Sequence, residues 1–529
     1  MSSSPSTLSS RPNFQLSERA SGVLLHLTSL PGPHGNGDLG AEARAFVEFL
    51  AGAGQRWWQM LPVNPVGPGF SPYSGVSAFA GNPLLIDLRG LVEEGWLDSS
   101  SLPSALPADR ADYPAAQELR TAALRKAFAR FSERPDSHVD ALAEFRERAA
   151  FWLGDYALFM ALKRAFAGAS WTSWRPELAR RDAAALESAR AELEHEVRFY
   201  EFEQYVFDRQ WQSLRAFAFE RGVGLIGDAP IFISHDSSDV WGNQESFRLD
   251  EQGEPTHVSG VPPDYFSQTG QRWGTPLYRW KVLKRQGYRF WIERFRTLME
   301  RFDVIRLDHF IGFARYWEIA AEQETAMNGR WLKGPGSDLF EAVEQELGTL
   351  PFIAEDLGLV TPGVRRLRRR HAMPGMRVLQ FGFGGDPREN DFLPHRYIRD
   401  CVAYTGTHDN DTSVGWYEDG GDEAGPRSRE QAERERAAAL RYLQGPLASA
   451  PFISIHWLMT RALFASVANT AIVPMQDLLG LGSESRMNTP GRADGNWLFR
   501  LDPSALTAEL VQTLRALTEV YGRCPPSDS

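Results

Sequence analysis

The stretch SLPGPHGNGDLG, residues 29–40, sets Gly35, Gly37 and Gly40 in the G-x-G-x-x-G spacing of a dinucleotide-binding turn. Its flanks suit that reading, because VLLHLTSL (23–30) is an apolar run of strand length and AEARAFVEFLAGAG (41–54) carries apolar residues at helical spacing. A dinucleotide fold, however, puts its first glycine at the strand end and an acid about 20 residues further on to hold the ribose. Here Pro31 and Pro33 intervene, and no Asp or Glu stands between Phe49 and Ile86. A dehydrogenase is therefore a remote reading. The glycines instead shape a strand-to-helix loop, and the rest of the chain must say which sheet that strand joins.

Seven further runs of the same kind follow: RWWQMLPV (56–63), VGLIGDAPIFI (223–233), FDVIRLDHF (302–310), PFIAEDLG (351–358), MRVLQFGF (376–383), CVAYTGTHD (401–409) and TAIVPMQD (470–477). Between them lie amphipathic segments of helical period, such as 202–222 and 288–302. Eight strands alternating with helices predict an α/β protein built on a (β/α)8 TIM barrel. The uneven spacing predicts large, mostly helical insertions. We expect an N-terminal disordered tail (1–21), barrel strands 1 and 2 (22–64), a mostly helical subdomain (65–200), a helix and strand 3 (201–233), a loop-rich subdomain over the cleft (234–287), the remaining strands (288–522) and a tail (523–529). Only 52 residues follow Asp477, so we expect no separate C-terminal β-domain.

A chain of 529 residues can bury a large core. Its net charge of −11 argues against nucleic acid and anionic membranes as partners. Two cysteines, Cys401 and Cys524, supply neither a disulfide framework nor a CxxC metal site. The first 20 residues have no apolar core of a secretory signal, and a cytoplasmic location is expected. Aromatic residues make up 12% of the chain, and several Trp and Tyr lie in Gly/Pro-rich loops, where flat rings suit the apolar faces of sugars.

Barrel chemistry sits at the C-terminal ends of the strands. Five of the runs end in acids or their partners: Asp228; Arg306 with Asp308; Glu355 with Asp356; His408 with Asp409; and Asp477. Any one of them serves equally well as a structural ion pair or helix cap, but five together point to a site, since carboxylates are costly to bury unless paired or used. Arg306 and Asp308, two apart on a strand, share a face. A guanidinium there keeps a carboxylate ionised, as a nucleophile requires. Two acids on different strands, one ionised and one protonated, are the minimum equipment for retaining glycosidic chemistry.

Several motifs together, VIRLDHFIGF (304–313), IAEDLGLVTPGV (353–364), YTGTHDNDT (404–412), GDAPIFI (227–233), SPYSGVSAFAGNP (71–83), PPDYFSQTGQRWGTPLYRW (262–280) and DLLGLGSESRMNTPG (477–491), resemble the 4-α-glucanotransferases, or amylomaltases, of glycoside hydrolase family 77. The resemblance spans roughly 22–522. It implies a TIM barrel without a C-terminal β-domain. It also implies transfer of α-1,4-glucan segments from a donor (maltodextrin, amylose, glycogen or starch) to the 4-hydroxyl of glucose or a maltodextrin, without cofactor or metal. Residue by residue it implies Asp308 as nucleophile, Glu355 as general acid/base, Asp409 as transition-state stabiliser and Arg306 as the group orienting the nucleophile. It further implies substrate contacts from Tyr73, Asp228, Trp273, His309, His408 and Asn488. Two departures concern the outer subsites: SPYS where the family commonly reads S-P-Y-Q, and FGFGGD (381–386) where an acid often follows F-x-F directly. An α-amylase-type hydrolase would use the same carboxylates with water as acceptor, but commonly carries a C-terminal β-sandwich and often calcium. A non-catalytic glucan-binding protein would need no Asp–Glu–Asp set.

Overall fold

The computed structural model describes residues 14–133, 138–263, 267–421, 427–445 and 454–524. Twelve strands occur in these residues: β1 (Ala20–Leu24), β2 (Trp57–Gln59), β3 (Gly224–Pro230), β4 (His257–Val261), β5 (Gln271–Pro276), β6 (Val304–Asp308), β7 (Arg315–Ala320), β8 (Gly329–Lys333), β9 (Phe352–Ala354), β10 (Gly375–Val378), β11 (Cys401–Tyr404) and β12 (Thr470–Pro474). Eight of them close a parallel barrel in the order β1-β12-β11-β10-β9-β6-β3-β2. Each barrel strand overlaps one of the eight apolar runs and is shorter than it; β1 begins three residues before its run, at Ala20, and β10 one residue before, at Gly375. The residues beyond the strand end have turned into the loops at the barrel mouth. Gly35, Gly37 and Gly40 belong to such a loop. A Cβ on Gly37 would lie 2.2 Å from the Leu27 carbonyl oxygen, so the close packing of this loop on itself, and no nucleotide, accounts for that glycine.

Inside the barrel Leu24, Trp57, Ile226, Val304, Ile353, Met376, Val402, Tyr404 and Ile472 pack into one apolar plug. Trp57 is its bulkiest member, and the adjoining strands make room for it. A Cβ on Gly224 of β3 would stand 2.7 Å from the Trp57 ring, and one on Gly22 of β1 would stand 2.4 Å from the Trp57 carbonyl oxygen. A second, larger core lies outside the barrel, between its wall and the helices.

The boundaries differ from the sequence expectation at four places. The tail expected at 1–21 is already structured at its end: β1 begins at Ala20, and Phe14 packs on Trp57 with ring centroids 5.7 Å apart. Residues 1–13 and 525–529 lie outside the described residues. The helical subdomain does not stop at 200, because one helix, Glu194–Glu220, runs from the insertion into the barrel wall. The loop-rich subdomain expected at 234–287 contains β4 and β5, and these pair with β7 and β8, from the segment assigned wholly to the barrel, in an antiparallel sheet ordered β5-β4-β7-β8. The exposed alternation of these strands lacks the long apolar run that marks a barrel strand. Last, Arg523 is no tail residue: it is fully buried and donates to the carbonyls of Ala20, Phe464, Ser466, Ala468 and Asn469.

No helix among the described residues is long and apolar enough to cross a membrane.

Candidate active site

The barrel register sets the charged centre. Asp228 of β3 pairs with Arg306 of β6, and Pro230 with Asp308, so the two strands deliver an acid, a base and an acid to neighbouring positions. Arg306 Nη1 donates to Asp228 Oδ1 at 2.8 Å and Oδ2 at 2.7 Å, and to Asp308 Oδ1 at 3.0 Å. The Asp228 side chain is 1% exposed and that of Asp308 27%, so Arg306 joins a buried anchor to a carboxylate open to the cleft. Burial pulls the Arg306 pKa down, and the two carboxylates more than reverse it, so the guanidinium stays charged. Burial likewise raises the Asp308 carboxyl, with Asp409 adding to the rise and Arg306 opposing it. Tyr73, from the loop after β2, donates its hydroxyl to Asp228 Oδ2 at 2.6 Å.

Glu355 follows β9 directly. Its Oε2 accepts the His309 backbone N–H at 2.9 Å, and its Oε1 accepts the Leu357 N–H at 3.2 Å. Burial drives its pKa well above the ordinary carboxylic value; Arg306 opposes, Asp308 and Asp356 add to the rise, and the Leu357 N–H pulls back. Asp308 and Glu355 thus differ in their surroundings. The guanidinium hydrogen-bonded to Asp308 favours its carboxylate against burial, whereas burial favours the proton on Glu355.

Asp409 follows β11 on a loop that is tied down from both sides. Asn488 Nδ2 donates to Asp409 Oδ1 at 2.6 Å, and Arg486 Nη2 donates to the Asp409 carbonyl at 2.6 Å. His408 Nε2 lies 3.4 Å from Asp409 Oδ1. The His408 ring stacks on Tyr73 at 5.2 Å between centroids and 13° between planes. Burial lowers the His408 pKa against the pull of Asp409, so the ring is a neutral imidazole. On the opposite rim Trp273 of β5 stands 39% exposed and meets His309 edge-on, with centroids 4.9 Å apart.

All ten residues expected from the sequence therefore gather in one connected constellation at the barrel mouth. Two other strand-end acids do not belong to it. Asp356 pairs with Arg368 at 3.2 Å and accepts the Met376 N–H at 2.8 Å, while Asp477 accepts from Thr405 Oγ1, Ser413 N and Ser413 Oγ at 2.6–2.7 Å. Both are structural. Asp386, in the departure FGFGGD, forms an exposed pair with Arg388 at 2.6 Å. The sequence reading missed Arg486, which stands two residues before Asn488 in the same motif, and Trp497, whose ring centroid lies 5.9 Å from Tyr73 and 6.2 Å from His408. Its placement in the Gly-rich stretch GRADGNW was the only signal. Residues 264–266 of the motif around Trp273 lie outside the described residues. Among the described residues no group of three or more His, Cys, Asp or Glu is arranged to hold a metal ion.

A site with one carboxyl hydrogen-bonded to a guanidinium, a second whose burial favours its proton, a third carboxylate and aromatic rims is suited to an α-glycosidic bond. Comparison with known proteins bears on this. The family model described as 4-alpha-glucanotransferase matches residues 25–507. The 4-alpha-glucanotransferase of Thermus thermophilus is 49% identical over 509 residues, covering 96% of this chain and 99% of its own. That of Synechocystis sp. is 46% identical over 514 residues, covering 96% and 99%. Among solved structures, the amylomaltase from Streptococcus agalactiae in complex with acarbose superposes with a TM-score of 0.90 at 37% identity, over 96% of this chain and 100% of that one.

Proposed function

Since the chain belongs to the 4-alpha-glucanotransferase family, and so is an enzyme that transfers α-glucan segments, we propose how its own residues carry out that transfer and on which sugars. The carboxylate of Asp308 attacks C1 of the donor sugar, while Glu355 gives its proton to the departing glycosidic oxygen. The bond from C1 to that oxygen breaks, a bond from C1 to Asp308 forms, and the freed glucan leaves with the proton. Glu355, now ionised, takes the proton of an acceptor 4-hydroxyl, whose oxygen displaces Asp308 and restores the starting enzyme. Asp409, held by Asn488, hydrogen-bonds the hydroxyls of the reacting sugar and stabilises the oxocarbenium-like transition state. Arg306 orients Asp308 and keeps it ionised. Tyr73, Asp228, His309 and His408 line the subsite of the sugar that becomes attached. Trp273 stacks on a glucose at the rim and excludes water, so that the covalent intermediate waits for a sugar.

The observation that carries this reading is the single guanidinium shared by Asp228 and Asp308, beside a glutamate whose surroundings hold its proton. Donors in this reading are maltodextrins, amylose, glycogen or starch, acceptors are glucose or maltodextrins, and the reaction takes place in the cytoplasm. The experiment is product analysis after incubation with maltotriose alone. A ladder of longer and shorter maltodextrins with release of glucose supports it. Glucose and maltose without longer products would make water the acceptor and overturn the role given to Trp273. Asp308→Asn should abolish the ladder while glucan binding persists, and substantial activity in that variant would remove Asp308 from its role.

A further inference from the structure

His309 adopts a left-handed backbone, φ +49°, at the turn that follows the nucleophile strand. For a residue with a Cβ this conformation costs free energy, and it persists where the surroundings impose it. Three contacts impose it here. The next residue, Phe310, is fully buried in the core and donates its N–H to the Glu355 carbonyl at 3.2 Å. The His309 carbonyl accepts from Gly312 N at 2.9 Å. The ring lies over Gly312, where a Cβ would stand 3.1 Å from His309 Cδ2, and its other neighbour is the edge of Trp273. The product of this turn is one aimed N–H, 2.9 Å from Glu355 Oε2.

We propose that His309 is a positioning residue for proton transfer: its ring, wedged between Gly312 and Trp273, holds the left-handed turn that aims its own backbone N–H at Glu355, and that N–H sets how readily Glu355 gives up its proton. The inference rests on the assignment of Glu355 as general acid/base given above. Glu355 must hold a proton in the first step and lack it in the second, so its affinity has to lie between extremes. Burial, with Asp308 on β6 and Asp356 on its own loop, favours the protonated form. Arg306 on β6 and the N–H groups of Leu357 and His309 favour the carboxylate. The His309 ring itself is held neutral, burial lowering its pKa to about 4, so it does not titrate where Glu355 does. Its Nε2 is buried and has no hydrogen-bond partner among the described residues, so ring packing, and no hydrogen bond of that nitrogen, holds the side chain in place.

The test is the pH dependence of kcat/KM for maltotriose in His309→Ala and His309→Asn. Loss of the wedge weakens a hydrogen bond to the carboxylate, so the descending limb of the Ala variant should move to higher pH by about half to one unit. Asparagine enters the left-handed region readily and should return most of the limb to its original position. A raised KM with an unmoved limb in both variants would reduce His309 to a sugar contact and overturn the proposal. An equal displacement in both variants would do the same, since the turn would then be irrelevant. Glu355→Gln, assayed in parallel, separates the two levels: activity surviving in that variant means that the general acid is misassigned, whereas a dead Gln variant with an unmoved His309→Ala limb rejects this inference alone.

Discussion

Within the site, an acid is defined by what surrounds it. Asp228, Asp308, Asp356 and Asp477 are all aspartates at strand ends, yet one anchors a guanidinium, one faces the cleft and two bind backbone or side-chain donors inside the wall. Their environments give the pH profile a sign. The proposed mechanism needs Asp308 ionised, so activity should rise with pH through its pKa, and needs Glu355 protonated, so activity should fall as pH passes the raised Glu355 value. An α-maltosyl fluoride donor sheds fluoride without needing a proton. With it the descending limb of kcat/KM should vanish while the ascending limb stays; a limb that persists would assign it to another group. Much of this centre was legible in the sequence, because Arg306 and Asp308 are two apart on one strand and the acids close separate runs. The split between functional and structural acids was not legible. It depends on partners such as Ser413 and Arg368, which are remote from those acids in sequence or chosen by packing. Trp497 escaped for the same reason: only the fold carries it from residue 497 to the side of Tyr73.

Among the elements, the eight barrel strands announce themselves as apolar runs because they are buried on both faces. The antiparallel sheet of β4, β5, β7 and β8 does not, since much of it faces solvent and its apolar content is spread thinly. Its backbone ladders cover a small apolar cluster of Val258, Ile319 and Ala326, and Glu318, 2% exposed on β7, is paired with Arg248 and, at 2.7 Å, with Arg330 of β8. Two predictions belong to this scale. Gly224→Ala forces a methyl against the Trp57 ring and should cost about 1–3 kcal/mol in denaturant unfolding. In a double-mutant cycle with Trp57→Leu the cost of Gly224→Ala should shrink, and an unchanged cost would assign the obstacle to Phe14, whose ring lies 2.8 Å from the same Cβ. On the helix Glu194–Glu220, Glu203 is 4% exposed and burial raises its carboxyl from 4.5 to about 8. Between those values the unfolded chain has lost this proton and the folded chain keeps it, so stability falls as pH rises across the window. Glu203→Gln removes the loss. Its advantage over the parent should grow from near zero at pH 4 to about 2–4 kcal/mol at pH 8, and equal Tm differences at both pH values would refute the assignment.

The whole molecule carries a net charge of −11, yet its reaction concerns uncharged sugars. Long-range steering therefore has nothing to act on, and kcat/KM for maltotriose should change by less than about two-fold between low salt and half-molar salt. A steep loss with salt would reveal a charged substrate group or a salt-sensitive site. The overall architecture was the most legible level of all, because eight runs in alternation with helices leave few other closed solutions. Its boundaries were not, since Arg19 and Arg523 make their contacts across the full length of the chain. Arg19 donates to the Tyr521 carbonyl at 2.9 Å, Arg523 to that of Ala20 at 2.9 Å, and β1 pairs with β12 from Ala20 opposite Thr470 to Leu24 opposite Pro474. That seam has a consequence for synthesis. The first strand leaves the ribosome long before its second neighbour exists, and until Thr470 arrives one edge of the growing sheet stays open, with its backbone groups unpaired. Closure is thus a late and long-range event, which predisposes the nascent chain to slow maturation and to capture by chaperones.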